Sequence, residues 1–430
     1  MQETLSHYFG YETFRPGQKE IITKILDHRN TLGVLPTGGG KSICYQVPGL
    51  MLGGTTIVIS PLISLMKDQV DQLKAMGIEA AYLNSSLTQK QQKDIEDKLK
   101  QGDIQFLYVA PERFENTFFL NLLRKIDIHL IAFDEAHCIS KWGHDFRPSY
   151  QSVIHKVFTL PQDFTIVALT ATATAEVQQD IMEKLNIGKY DEIKTSTKRR
   201  NLIFKVNPTY QRQKFVVDYV TSHDGQAGII YCSTRKQVEE LNEALENEKV
   251  KSTIYHAGLT NKEREAAQND FLYDRVDVVV ATNAFGMGID KSNVRYVIHY
   301  NMPGDIESYY QEAGRAGRDG LKSECILLFS ERDKGLHEYF ITVSQADDDY
   351  KDKMGEKLTK MLQYTKTKKC LEATIVHYFE PNEKLEECEQ CSNCVQENKT
   401  YNMTREAKMI ISCIARMKQQ ESYSVIIQVL

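Results

Sequence analysis

Residues 31–60 read "TLGVLPTGGGKSICYQVPGLMLGGTTIVIS". A short β-branched run, "TLGVLP" (31–36), leads into three glycines, Lys41 and Ser42. An apolar stretch of helical length follows, and a second β-branched run, "TTIVIS" (55–60), closes the segment. Strand, glycine-rich turn, helix and strand in that order make a parallel βα unit, because parallel neighbours need a long crossover that a helix supplies. The pattern recurs in "IQFLYVA" (104–110), "IHLIAFDE" (128–135) and "FTIVALTA" (164–171), which complete a first set of strands. After "KRRNLIFK" comes a second set: "AGIIYCS" (227–233), "STIYHAG" (252–258), "VDVVVATN" (276–283), "VRYVIHYN" (294–301) and "ECILLFS" (324–330). Near-continuous apolar runs belong to strands that helices cover on both faces. The expected class is therefore α/β, with two doubly wound parallel-sheet lobes over residues 1–205 and 206–335.

Beyond residue 335 the chain turns helical and lysine-rich ("DKMGEKLTKMLQYTKTKKC") and then gathers cysteines, which marks a small third module over 336–398. The stretch "TREAKMIISCIARMKQ" has apolar residues at helical spacing and predicts one amphipathic helix. Its apolar face needs a partner, so 399–430 is expected to open a further domain that is cut mid-fold. No apolar run approaches the roughly 20 residues of a membrane span, and the start "MQETLSHYFG" lacks a basic-then-apolar leader. These features predict a cytoplasmic protein with no membrane partner. Nine cysteines, an odd number, point to reduced thiols rather than a disulfide framework. A net charge of −5 excludes a basic footprint over the whole surface, so any nucleic acid must bind a local groove.

In "LPTGGGKS" (35–42), glycine backbone amides can close around phosphate oxygens at a helix N-terminus. Thr37, Gly38, Gly39, Gly40, Lys41 and Ser42 are the expected cradle for ATP. Lys41 is assigned to the β- and γ-phosphates and Ser42 to Mg²⁺. Leu35 stands where the usual pattern has its first glycine. Asp134 and Glu135 follow an apolar run in the same lobe, at the strand end where doubly wound folds place ligands. Asp134 is expected to hold Mg²⁺ and Glu135 to deprotonate the attacking water. "TAT" (170–172) ends the next strand and brings Thr170 and Thr172 beside that pair. In the second lobe "YYQEAGRAGRDG" (309–320) offers Gln311, Arg315 and Arg318, placed to meet charge on a phosphate held by the first.

The ordered motifs "FRPGQ", "TGGGKS", "SPLISLMKDQV", "YVAPER", "DEAH", "ALTATAT", "IIYCSTRK", "ATNAFGMGIDK" and "QEAGRAGR" resemble those of superfamily-two helicases, and in detail the RecQ family. The resemblance covers nearly the whole chain. It implies two RecA-like lobes, a helical zinc-binding module and the start of a winged-helix domain. The implied activity is ATP-dependent 3′–5′ translocation on single-stranded DNA with unwinding of forked or tailed duplexes. Implied protein partners are a single-stranded-DNA-binding protein and other recombination or repair proteins, at the nucleoid of a bacterium. Tyr11 is assigned to stacking on adenine, Arg15 to supporting it and Gln18 to its N6/N7 edge, with Asp290 also at the ATP site. The only tryptophan, Trp142, then falls with His144, Phe146 and Arg147 in an aromatic-rich loop that couples strand contact to hydrolysis. Stacking on an aromatic face suits bases without sequence preference. Arg235 and the loops "SPLISL", "APER", "STRK" and "ATNAFGMG" are assigned to the strand.

Cys370, Cys388, Cys391 and Cys394 carry C-x2-C-x2-C spacing plus a fourth thiol, which suits a structural Zn²⁺ and also an iron–sulfur cluster. The resemblance favours zinc. Cys44, Cys138, Cys232, Cys325 and Cys413 read as buried packing thiols. The rival functions are an RNA helicase, a translocase that does not unwind, and a nucleic-acid scaffold with an inactive ATPase. Intact Lys41, Ser42, Asp134, Glu135, Arg315 and Arg318 argue against the last.

Overall fold

The computed structural model describes residues 1–61, 63–84, 87–143, 145–286, 291–384, 386–395 and 404–416. The first lobe is built on a sheet of β1 (Thr31–Val34), β2 (Thr55–Ile59), β3 (Ala80–Leu83), β4 (Phe106–Val109), β5 (Ile128–Phe133), β6 (Thr165–Thr170) and β7 (Glu192–Lys194). Their spatial order is β3-β4-β2-β5-β6-β1-β7, and every pairing is parallel. The second contains β8 (Leu202–Pro208), β9 (Gly228–Tyr231), β10 (Ser252–Tyr255), β11 (Val278–Ala281), β12 (Tyr296–His299) and β13 (Ser323–Phe329). Its order is β10-β11-β9-β12-β13-β8, again all parallel.

Alternation along each strand fills two cores per sheet. Ile57 and Ile59 of β2 join Leu107, Val109, Ile131 and Phe133 on one face, while Val58 joins Tyr108, Leu130 and Ala132 on the other. Both faces are apolar because helices cover both. The order β5-β6-β1 brings three strand ends side by side, so the glycine turn, Thr170 and the acidic pair share one edge of lobe one.

Three strands depart from the expected set. β3 ("AAYL") has too little β-branching to stand out, and β7 ("EIK") is a three-residue polar edge strand. β8 pairs with β13 along its whole length, so the expected division at residue 205 falls inside a lobe-two strand. The chain changes sheets between Lys194 and Leu202 instead. The third module does not own a core either. Leu358, Met361, Tyr364, Leu371, Phe379 and Cys391 join the same cluster as Ile229, Val279, Val297 and Leu327 of the second sheet. The helix Thr404–Arg416 forms where an amphipathic helix is expected, with Met409, Ile410 and Ile411 exposed. The remainder of the proposed winged-helix start lies outside the described residues. Among the described residues, no helix is long and apolar enough to cross a membrane.

Gly228 opens β9 opposite Tyr296 of β12, and a Cβ built there would lie 2.0 Å from the tyrosine ring. Gly228→Ala must push the buried ring off its seat. The expected cost is ~1–3 kcal/mol of lobe-two stability, read as a lower urea midpoint by circular dichroism; an unchanged midpoint contradicts this packing.

Candidate nucleotide site and nucleic-acid interface

The glycine turn is held from behind. Gly38 and Gly40 take left-handed φ values of 78° and 73°, which only glycine adopts without cost. Gln18 Nε2 donates to the carbonyls of Gly39 (3.2 Å) and Gly40 (2.9 Å), and its Oε1 accepts from the Arg15 amide at 2.8 Å. The Arg15 guanidinium donates to the Gly38 carbonyl. The amide expected to read adenine is thus engaged on the turn, and Gln18 is buried. To reach a base edge it has to exchange those bonds. Tyr11 is exposed at the mouth of the same cavity, where a flat base has access to it.

β5 delivers the acidic pair. The Asp134 amide donates to the Ile59 carbonyl at 2.9 Å, and Tyr150 Oη donates to the Asp134 carbonyl at 2.9 Å, which fixes the strand end. Burial pushes the Asp134 carboxyl up to about 7; the Glu135 charge adds to the rise and Lys41 opposes it. A buried carboxyl short of positive charge, in one cavity with the Ser42 hydroxyl, fits a divalent cation. Glu135 sits in the left-handed region at φ 47°. Its Oε2 lies 3.4 Å from His137 Nδ1, which lies 3.0 Å from Thr170 Oγ1. Thr170 and Thr172 are both buried, and Thr170 Oγ1 also accepts from the Thr172 amide at 3.3 Å.

Lobe two closes the site. The helix Ile306–Ala313 is N-capped by Asp305, whose carboxylate accepts from the Ser308 amide at 2.7 Å, and the chain then turns through Gly314 to Arg315 and Arg318. One cavity of about 410 Å³ is walled by Arg15, Lys41, Asp134 and Glu135 from lobe one and by Gln311, Arg315 and Arg318 from lobe two. Sequence reasoning did not find the residue that joins the walls. Arg199 lies between the sheets; its Nη1 donates to the Thr37 carbonyl (2.7 Å) and its Nη2 to the carbonyls of Ala316 (3.2 Å) and Gly317 (3.1 Å). The only signal was the basic pair in "KRRN". His137 was overlooked as well, although it stands inside the quoted "DEAH".

The tryptophan loop is less open than expected. Trp142 is half-buried against the lobe-one core, with the ammonium groups of Lys141 and Lys353 at 5.5 and 5.7 Å from its ring centroid. Phe146 is half-buried too. Arg147 spends its donors locally, on Asp145 Oδ2 at 3.1 and 3.2 Å and on the Pro61 carbonyl at 3.1 Å, so it anchors the loop. Arg235 is exposed at the start of the helix Arg235–Asn247 and does not line the cavity. His144 and Asp290 lie outside the described residues, as do Leu62 of "SPLISL" and Met287 and Gly288 of "ATNAFGMG".

The four cysteines converge as the spacing predicts, with all sulfurs within 4.8 Å of one another. Thiolates ~2.3 Å from a zinc ion form a tetrahedron with edges of ~3.8 Å; Cys391 Sγ lies 4.0 Å from Cys370 Sγ and 3.4 Å from Cys394 Sγ. Backbone amides of Leu371, Cys388 and Cys391 point at the sulfurs of Cys391, Cys370 and Cys388, each at 3.3 Å. Burial raises the Cys388 thiol and raises Cys394 to about 11, whereas at Cys391 burial is outweighed by backbone amides together with the neighbouring Cys394 and Cys388 thiols, which lower it. Four thiolates this close are stable only around a cation, and the donor set fits Zn²⁺. Of the remaining cysteines, Cys44, Cys138, Cys232 and Cys325 are buried as expected, while Cys413 is only half-buried.

Residues 15–181 match the DEAD/DEAH box helicase family, 211–320 the helicase conserved C-terminal domain, and 331–395 the RecQ zinc-binding domain. The chain is 48% identical to the ATP-dependent DNA helicase RecQ of Bacillus subtilis over 430 residues, all of this chain and 72% of that protein. It is 42% identical to the ATP-dependent DNA helicase RecQ of Haemophilus influenzae over 415 residues, 96% of this chain and 67% of that one. Among solved structures, S. cerevisiae Dbp5 bound to RNA and ADP BeF3 shares the fold with a TM-score of 0.64 at 19% identity, over 83% of this chain and 97% of the other.

Cys391 is both a sulfur donor and part of the lobe-two core. Cys391→Ser should cost the protein its bound zinc and lower the thermal midpoint. Elemental analysis of the purified variant together with calorimetry checks this; stoichiometric zinc at the parent midpoint would refute the four-sulfur site.

Proposed function

This chain belongs to the RecQ family of helicases, and from that premise we propose an ATP- and Mg²⁺-dependent DNA helicase that moves 3′ to 5′ along a single strand and opens duplexes ahead of it. What supports the reading most directly is the one cavity with Lys41 and the acidic pair on one wall and Arg315 and Arg318 on the other. Lys41 and the amides of Gly38, Gly39 and Gly40 bind the phosphates of ATP. Ser42 and Asp134 hold Mg²⁺, which neutralises phosphate charge when bound. Glu135 takes the proton of the attacking water, with His137 and Thr170 fixing its carboxylate. Arg315 and Arg318 stabilise charge spreading over the γ-phosphate, an effect of ~10³–10⁵ in rate. They come from the opposite lobe, so turnover requires the two walls together, and their parting and rejoining over the cycle is the source of movement.

Trp142 offers a base its ring once the lysines beside it move to phosphates, a trade that salt and stacking energies make feasible. Only Ala136 to Lys141 separate Glu135 from Trp142 along the chain, and His137 within that stretch faces the Glu135 carboxylate. Strand contact therefore reaches the catalytic base over a short path. Tailed and forked duplexes are the substrates that such a motor opens, a task that belongs to DNA repair, recombination or replication-fork processing.

Lys41→Ala should lower ATP turnover by on the order of 10² or more, with binding of single-stranded oligo(dT) retained. Parent-level turnover sinks the phosphate assignment. Trp142→Ala should reduce the ratio of DNA-stimulated to basal turnover; an unchanged ratio rejects the loop as the sensor. Strand displacement on 3′-tailed, 5′-tailed and forked DNA, with an RNA duplex alongside, tests direction and substrate. Preference for a 5′ tail or for RNA would overturn the reading.

A further inference from the structure

The helix Asp348–Lys366 touches both lobes at positions no motif marks. Lys357 is 5% exposed; its ammonium donates to the Trp142 carbonyl at 2.8 Å and lies 2.9 Å from Glu307 Oε1, itself 2% exposed. Trp142 belongs to the loop of lobe one, whereas Glu307 stands in the first turn of the helix that carries Gln311 one turn later and leads into Arg315. One buried cation therefore hydrogen-bonds to the loop and forms an ion pair with the helix. Two further contacts tie the same helix to lobe one. Lys353, one turn before Lys357, pairs with Glu176 at 2.8 Å and faces the Trp142 ring, and the N-cap residue Asp347 pairs with Lys141 at 2.8 Å.

We propose that Lys357 is a positioning residue that relays the state of the tryptophan loop to the helix that carries Gln311 and leads into Arg315. A buried ammonium that loses an acceptor is poorly solvated, so the loop carbonyl and the Glu307 carboxylate move with it as a unit. A base stacking on Trp142 competes with Lys353 for the ring. The loop then shifts, its carbonyl draws Lys357 along, and Glu307 carries Gln311 and Arg315 with it relative to Lys41. The relay rests on the helicase reading above and names the element that couples its two sites.

The test compares the full chain, Lys357→Met, and the double variant Glu307→Gln/Lys357→Met. Measurements are ATP turnover with and without oligo(dT), oligo(dT) affinity by fluorescence anisotropy, and the thermal midpoint. Lys357→Met leaves Glu307 buried without its cation and lowers the midpoint; the double variant removes both charges and recovers it. In both, the ratio of DNA-stimulated to basal turnover should fall by about tenfold, a coupling loss of the usual allosteric size, with affinity little changed. If the double variant recovers the ratio along with the midpoint, the pair is structural and the relay is wrong. A stimulated parent with an equally stimulated Lys357→Met overturns the relay alone. A parent that DNA does not stimulate overturns the helicase reading together with the relay built on it.

Discussion

A single guanidinium holds the two halves of the cavity in register. Arg199 lies where the chain crosses between sheets, and it offers donors to the carbonyl that opens the glycine turn and to two carbonyls between Arg315 and Arg318. Asn201 Nδ2 also donates to the Gly317 carbonyl at 2.8 Å, but Arg199 is the residue whose donors reach the carbonyls of both loops. A planar fork with fixed donor directions suits that task, and a lysine's point charge does not. The consequence is close approach: a Cβ built on Gly38 would stand 3.5 Å from Arg318 Cγ. The arginines thus reach the glycine turn because the crossing segment brings them there.

The acidic pair shows what the site costs. Glu135 takes a left-handed backbone that disfavours a non-glycine residue by roughly 1–2 kcal/mol. It puts a second carboxylate against Asp134, whose own ionisation burial already resists. Such an arrangement persists only where the surroundings over-determine it. Here the constraint comes from Tyr150, which donates to the Asp134 carbonyl, from His137 packed between Glu135 and Thr170, and from β5 itself, paired on both sides in the middle of the sheet.

Much of this was legible in the residues. Apolar, β-branched runs revealed the positions of most strands, and the glycine turn, the acidic pair and the cysteine spacing each fall where chemistry requires them. The misses share a cause. β3 and β7 are short, alanine-rich or polar strands at the sheet's edges, whose stability comes from their neighbours rather than from their own sequence. Arg199 and Lys357 act through backbone carbonyls and one buried carboxylate, and carbonyls have no letter in a sequence. Gln18 and Arg147 have the residue types expected of ligand contacts, yet their donors are engaged on neighbouring backbone or carboxylate groups.

The shared core of the third module decides where the molecule can bend. Leu358, Met361, Leu371 and Phe379 are buried in the lobe-two cluster, and each contributes ~1.5–3 kcal/mol on burial. Toward lobe one the same module presents polar contacts: the buried Lys357 on the Trp142 carbonyl, and ion pairs such as Lys353 with Glu176 that are partly exposed and screened by solvent. Separating apolar surfaces is therefore far costlier than exchanging those pairs for water. Lobe two and the cysteine module thus share one core, and the crossing segment is fastened to that module where the Thr197 and Arg199 amides donate to the carboxylates of Glu380 (2.7 Å) and Glu372 (3.2 Å). The cysteine cluster therefore braces lobe two, and none of its four sulfurs lines the nucleotide cavity.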